Sequence, residues 1–268
     1  MTIQTPLSDL SGGRPLMRVC GLHKMYGMRV GCADVSFDIW PGEVLGIVGE
    51  SGSGKTTVLE CASAQRSPSG GGVWYDLPER GLCDIFSLSA AERRMVMRTQ
   101  WGLVRQDARD GLRMGVSAGA NVGEPLMAVG ARHYGDIRTR ALHWLRRVEI
   151  DAERIDDFPT TFSGGMRQRL QIARNLITEP RLLFMDEPTG GLDVSVQARL
   201  LDLLRSLVAT LGVSAIIVTH DLAVARLLAH RLVVMRRGRI IESGLTDQVL
   251  DDPQHPYTQL LVSSILQP

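Results

Sequence analysis

The sequence predicts an α/β protein with a buried parallel core, an antiparallel β edge and an inserted helical subdomain, and three observations carry that prediction. Three short apolar runs, Leu45–Val48, Leu182–Met185 and Ala215–Val218, each close on polar residues and lead into a helical pattern, the form taken by strands buried in a parallel sheet. A stretch ahead of the first run alternates apolar and polar side chains. Between the first and second runs lies an interval, about residues 111–180, that reads mostly as helix. Three such strands delivering polar residues at their carboxyl ends define a ligand crevice.

Taken in order, residues 1–16, with Pro6, Gly12, Gly13 and Pro15, lack the apolar segment of a signal peptide and read as a flexible N-terminal lead. Met17–Leu22 and Val35–Trp40 are β-rich; in the second, Val35, Phe37 and Ile39 alternate with Ser36, Asp38 and Trp40, which suits a half-exposed antiparallel edge. Ser89 followed by Glu92 is a capping-box signature for a helix through Met97, and Gly102–Arg105 reads as a strand. Within the helical interval, Leu142, Leu145 and Val148 share one face while Arg140, Arg146 and Arg147 lie mostly elsewhere. Thr246–Leu266 suggests two short helices split by Pro253 and Pro256. The expected organisation is a main domain over residues 17–250, holding the helical subdomain, and a helical tail over 251–268.

Composition narrows the function. The 268 residues are 44% hydrophobic, enough for a real core, and 30 basic side chains nearly balance 29 acidic ones for a net charge of +1. No long block of one sign marks a nucleic-acid arm, and 5% aromatic content offers little for base stacking. Cys20, Cys32, Cys61 and Cys83 are too far apart for zinc-type pairs and read as reduced cytosolic thiols. No apolar run reaches the length of a membrane span. A cytoplasmic chain whose partners are proteins and a small anion is expected.

Residues 49–56, Gly49-Glu50-Ser51-Gly52-Ser53-Gly54-Lys55-Thr56, match the phosphate-loop pattern G-x-x-x-x-G-K-[ST] between a buried strand and a helix. The glycines let backbone N–H groups turn toward phosphate oxygens, the helix N-terminus adds partial positive charge, Lys55 reaches the outer phosphates and the Thr56 hydroxyl can hold magnesium. Average composition yields the bare pattern in roughly one chain in a hundred of this length, so the flanking strand and helix carry the identification. Asp186 and Glu187 end another buried strand; Asp186 can reach magnesium through water, and Glu187 is placed to polarise an attacking water. The structural alternative is that these acids cap the next turn, since Pro188 restricts Glu187 to extended conformations. Ser163, Gly164 and Gly165 open a helix and form a second anion-binding terminus, or an ordinary N-cap. Gln106 and His220, each after a strand, are polar groups at the same sheet edge and count only as part of the set.

The order of these motifs resembles that of the ABC-type ATPases: phosphate loop, glutamine loop, signature helix, carboxylate pair, leucine-aspartate turn and switch histidine, over about Val19 to Leu250. In that family two domains pair head to tail, and each signature helix meets ATP held by the other subunit, which gives the second anion site a use. The resemblance implies an ABC-type P-loop core acting on ATP and Mg2+. Tyr26 would stack on adenine, and Gly49, Ser51, Gly52, Ser53, Gly54, Lys55, Thr56 and Thr57 would hold the phosphates. Ser163, Gly164 and Gly165 would contact the partner's ATP. Thr56, Asp186 and Gln106 would serve the metal, and Gln106 would also sense the attacking water. Glu187 would be the catalytic base, His220 would contact the γ-phosphate, and Lys55 and Gln106 would count with these two among the catalytic residues. Asp193 would lie at the subunit junction. Met166 replaces a frequent glutamine, and Gly190 stands where serine or alanine is frequent; neither departure touches the nucleotide motifs.

The tail His255-Pro256-Tyr257-Thr258-Gln259-Leu260-Leu261 and the run Ser163–Arg169 are similar to oligopeptide and nickel importer ATPases. The segment Asp107–Arg113 lacks the proline and serine-leucine-asparagine-proline turn of that group. Residues 130–138, 189–199 and 244–264 look instead like the ATP-binding subunit of the bacterial carbon-phosphorus lyase system, which implies docking on soluble lyase core subunits, without direct membrane insertion. Three readings stay open: a motor of a soluble enzyme complex, the energising subunit of a membrane importer, and a nucleotide clamp that hardly turns over. The chain holds no radical or iron-sulfur cysteine motif, so carbon-phosphorus cleavage would belong to partners.

Overall fold

The computed structural model describes residues 13–264; the first twelve residues of the expected lead, and the end of the expected tail at Leu266, lie outside the described residues. The described chain divides into two compact units, one built from residues 13–88 and 219–264 and the other from residues 89–218.

In the first unit, β1 (Met17–Tyr26) and β2 (Arg29–Ile39) form a long hairpin. Both run further than the sequence pattern marked. The extension holds the exposed tip of the hairpin, where Met28 is 98% exposed. Strand β3 (Val44–Val48) is fully buried and enters α1 (Lys55–Ala62) through the glycine-rich loop. Strands β4 (Gly70–Leu77) and β5 (Gly81–Asp84) complete an antiparallel sheet of order β2-β1-β4-β5. The half-exposed edge read from Val35–Trp40 is therefore the outer strand of this sheet: Val35 and Ile39 are buried, Ser36 is exposed, and Phe37 is only half-buried. Pro15 and Leu16 are buried as well, with the Leu16 N–H donating to the Ile39 carbonyl at 2.8 Å.

The second unit begins at α2 (Ala90–Thr99), whose capping box is complete: Ser89 Oγ accepts from Glu92 N–H at 3.2 Å, and the Glu92 carboxylate accepts from Ser89 N–H at 3.0 Å. Strand β6 (Trp101–Val104) follows, then a short α3 (Ala108–Gly111), α4 (Ala118–Ala128) and α5 (Tyr134–Arg147). On α5 the buried stripe runs through Ile137, Ala141, Trp144 and Leu145 to Val148, and Leu142 is only half-buried. Leu145 and Val148 thus lie on the buried face as expected, and Leu142 lies at its edge. Helix α6 (Gly164–Leu176), strand β7 (Leu182–Asp186) and helix α7 (Val194–Leu211) follow, and the unit ends within strand β8 (Ser214–Thr219), at Val218. β6, β7 and β8 pair in parallel.

The chain returns to the first unit through α8 (Leu222–Leu228), β9 (Arg231–Arg236) and β10 (Arg239–Leu245). β9 pairs parallel with β3 and antiparallel with β10. The turn between them puts Arg237 and Gly238 at φ 49° and 79°, the left-handed pair that a two-residue hairpin requires. Two short helices, α9 (Thr246–Asp251) and α10 (Pro256–Ser263), end the described chain. Pro253 separates them, whereas Pro256 is the first residue of α10, where its fixed φ suits the opening turn.

A buried ion pair ties β9 to the turn after β2. Arg231 Nε lies 3.1 Å from Glu43 Oε1, with side chains 3% and 6% exposed. Arg231 also donates to the Asp38 carbonyl, and Trp40 N–H donates to Glu43 Oε2 at 2.8 Å. Burial raises the Glu43 pKa above the usual carboxylate range, and the guanidinium pulls it back only in part.

Candidate nucleotide site

The first unit holds Tyr26, the loop of residues 49–57 and His220; the second holds Gln106, residues 163–165, Asp186 and Glu187.

Loop 49–54 closes on itself with Ser53 N–H donating to the Glu50 carbonyl at 3.2 Å, and it is pinned to the β9–β10 turn by Gly238 N–H donating to the Ser53 carbonyl at 2.9 Å. Gly54, at φ 102°, opens α1, and a side chain there would strike the Gly31 carbonyl. No side chain caps α1, so its first N–H groups and the partial positive charge of the helix end suit an anion. Lys55 is buried and donates to the carbonyls of Gly49 and Glu50 at 2.8 and 2.9 Å. Ser53 is 1% exposed, and its Oγ has no protein partner. A buried hydroxyl without a partner is costly, and together with the glycine curl and the uncapped helix it fits a phosphate ligand. Ser51, Gly52 and Thr56 are exposed, and Thr57 is half-buried.

Tyr26, at the end of β1, comes next to this loop: a methyl added at Gly31 would lie 2.7 Å from the Tyr26 ring and 3.0 Å from Thr57 Cγ2. Tyr26 is 38% exposed, with Lys24 Nζ 5.6 Å and Arg66 Cζ 5.3 Å from its ring centroid. Cations at that range are attracted to the π-face. His220 is exposed ahead of α8, whose N-terminus is capped by Asp221 accepting from Ala223 N–H at 2.8 Å.

In the second unit, Asp186 and Glu187 are half-buried at the end of β7. Glu187 is not extended. It sits at φ 45°, its N–H donates to the Val218 carbonyl at 2.8 Å, and its own carbonyl accepts from Gly190 N–H at 2.9 Å. Proline favours the second place of such a turn, and ladder and turn bonds together hold a left-handed backbone that costs about 1–2 kcal/mol for a residue with a Cβ. Strain of this kind gathers at functional positions. The turn also meets Gln106: a methyl added at Gly190 would lie 3.4 Å from Gln106 Cγ and Nε2. The exposed Gln106 and the strained carboxylate turn are therefore neighbours.

Ser163 caps α6, its Oγ accepting from Met166 N–H at 3.3 Å. Ser163 and Gly164 are exposed. Gly165 is buried and leaves room for Val196 on α7, so it also answers a packing need. The sequence reading missed three amides further along α6. Asn175 Oδ1 accepts from Leu103 N–H at 2.7 Å, Gln171 Oε1 accepts from Arg105 N–H at 2.7 Å, and Gln168 Nε2 donates to the Arg105 carbonyl at 3.2 Å. They bond the backbone of β6 and of the residue just before Gln106. Their i, i+3, i+7 spacing was the available signal. Among the described residues no group of three or more His, Cys, Asp or Glu gathers as a metal site; Mg2+ held largely by phosphates needs only one or two side chains.

Residues 32–190 match the family model described as ABC transporter. The chain is 65% identical over 254 residues, covering 95% of it and 99% of the relative, to the putative phosphonates utilization ATP-binding protein PhnK of Escherichia coli strain K12. It is 39% identical over 259 residues, covering 95% of it and 80% of the relative, to a putative peptide import ATP-binding protein of Brucella ovis. Among solved structures it resembles the dimeric post-hydrolysis state of the ATP-binding cassette MJ0796 bound to ADP and Pi, with a TM-score of 0.77 and 29% identity over 86% of this chain and 98% of that one.

Proposed function

Since the chain belongs to the ABC transporter family of ATP-binding domains, we propose that it hydrolyses ATP as one half of a head-to-tail dimer and drives conformational change in a soluble carbon-phosphorus lyase complex. The observation that carries the nucleotide reading is the loop itself: a glycine-formed cradle, an uncapped helix end and a buried Ser53 hydroxyl without a protein partner.

In this reading Lys55 exchanges the carbonyls of Gly49 and Glu50 for outer phosphate oxygens, while the amides of residues 51–57 take the remaining phosphate charge. Tyr26 stacks on adenine. Thr56, Asp186 and Gln106 are the residues assigned to hold Mg2+, which when bound would supply neutralisation of phosphate charge. Glu187 accepts the proton of the attacking water, held in place by its turn, and His220 donates to the γ-phosphate. Ser163, Gly164 and Gly165 serve the ATP of the partner subunit, so closure of the dimer completes each site. MJ0796, a related cassette, is described as dimeric with ADP and Pi, which supports pairing. The cellular location in this reading is the cytoplasm; among the described residues no helix is long and apolar enough to cross a membrane. The phosphonate assignment rests on the 65% identity to the phosphonates utilization protein, against 39% for the peptide import protein.

The test has two arms. Purified protein should release phosphate from ATP with Mg2+, and Glu187→Gln should keep ATP binding, accumulate a dimer on size exclusion and lose about 10²-fold or more in turnover. Unchanged turnover in the variant would remove Glu187 from its role. Gentle affinity purification with ATP present should retain soluble phosphonate-breakdown subunits; recovery of multi-spanning membrane proteins instead would favour an importer.

A further inference from the structure

The phosphate loop is gripped from behind by the last helix. The backbone N–H of Glu50 donates to the Tyr257 hydroxyl of α10 at 3.0 Å, across 207 positions of sequence. The same peptide unit offers its other end to Lys55, whose Nζ lies 2.8 Å from the Gly49 carbonyl. One peptide plane is therefore held at both poles, by Tyr257 at the amide and by Lys55 at the carbonyl. Rotating that plane would break both bonds together.

Tyr257 is itself firmly placed. It is 8% exposed, and the Arg236 guanidinium lies 4.7 Å from its ring centroid. Its own N–H donates to His255 Nδ1 at 3.0 Å, and the Glu242 carboxylate of β10 accepts the N–H groups of Gln254 at 2.7 Å and His255 at 3.0 Å. Charge-assisted bonds of this kind are the stronger ones. The chain thus builds a braced tyrosine at its far end and aims the hydroxyl at the second residue of the loop.

We infer that Tyr257 is a positioning residue for nucleotide binding: its hydroxyl fixes the Gly49–Glu50 peptide, and through it the place from which Lys55 meets phosphate. This rests on the reading of residues 49–56 as the nucleotide loop. Tyr257→Phe keeps the ring and its packing against Arg236 and removes only the hydroxyl. The expected result is a three- to tenfold rise, roughly, in the Kd for an ATP analogue and in KM, with kcat within about twofold, the scale of one neutral hydrogen bond. Amide exchange at Glu50, followed by NMR in nucleotide-free protein, should quicken by a similar factor. Thr258→Ala removes a neighbouring buried hydroxyl that has no partner and should change neither. Wild-type affinity together with wild-type Glu50 exchange in Tyr257→Phe would overturn the inference, as would an equal loss of affinity in Thr258→Ala. Failure of the wild-type chain to bind ATP would count against the nucleotide reading alone, because Glu50 exchange still reports whether Tyr257 holds the loop.

Discussion

Substituting Gly165 by alanine separates packing from ligand contact in the signature segment. A methyl at this position would stand less than 3.0 Å from Cγ1 of Val196 and 3.9 Å from its Cβ, whereas carbon atoms rest at about 3.5–4.0 Å. Relief demands a shift of the two helices or an off-rotamer Val196, costing about 1–3 kcal/mol. Alanine returns up to about 1 kcal/mol in helix propensity, so a net loss of about 1–2 kcal/mol is expected. Val196→Ala removes the Cγ1 methyl that the added methyl would meet, together with Cγ2. Being half-buried, Val196 should cost about 1 kcal/mol or less on its own. Urea unfolding of the wild type, both single variants and the double variant gives the coupling, which equals the relieved clash and should make the double variant about 1–3 kcal/mol more stable than the sum of the singles. Additive losses would refute the clash. If stability recovers in the double variant while ATP-dependent pairing does not, Gly165 serves the ligand in addition to α7.

Other expectations concern single interactions. Asn175→Ala deprives the Leu103 N–H of its acceptor and should cost about 1–3 kcal/mol in urea unfolding, with faster exchange at that amide. Ser89→Ala breaks the capping box of α2 and should cost about 0.5–2 kcal/mol, read from the unfolding midpoint. Burial pushes the Cys32 thiol up to about 11 and the Cys61 thiol up to about 12, so a thiol reagent at neutral pH should modify exposed Cys20 and half-exposed Cys83 first, and the buried pair only on unfolding. Above the ordinary thiol value of 9.0 the unfolded chain sheds these protons while the folded chain keeps them. Stability from this source is present below pH 9 and falls as pH rises toward 11 and 12, which alkaline melting curves would register.

The parts legible in the sequence share a property: each is specified by residues adjacent along the chain. The run Leu45–Val48 and the loop after it fix a strand, a turn and a helix start in one stretch, and Ser89 with Glu92 closes a capping box within four residues. What escaped depends on distant contacts. The β4–β5 hairpin has no clear local pattern, and β1 and β2 outrun their alternating stretches, because pairing in the antiparallel sheet overrides the weak alternation at the hairpin tip. The β9–β10 hairpin is the exception, since the Leu232–Met235 run and the Arg237-Gly238 turn signal it locally. Glu187 was expected to be extended from its local preference before Pro188, and the turn bonds to Val218 and Gly190 decide otherwise. Gln171, Asn175 and Tyr257 are ordinary polar residues until the fold sets them against a backbone they can bond.

The Glu43–Arg231 pair bears on how this sequence can change over generations. Losing either partner alone strands a buried charge, at a cost of roughly 3–5 kcal/mol, a large share of the 5–15 kcal/mol that holds an ordinary domain. An apolar pair of matching volume can be as stable as the ions or more so, yet every path to it by single steps crosses that deficit. Positions 43 and 231 are expected to drift together or not at all, so a homologue lacking just one of the two should carry a compensating change beside the vacated partner.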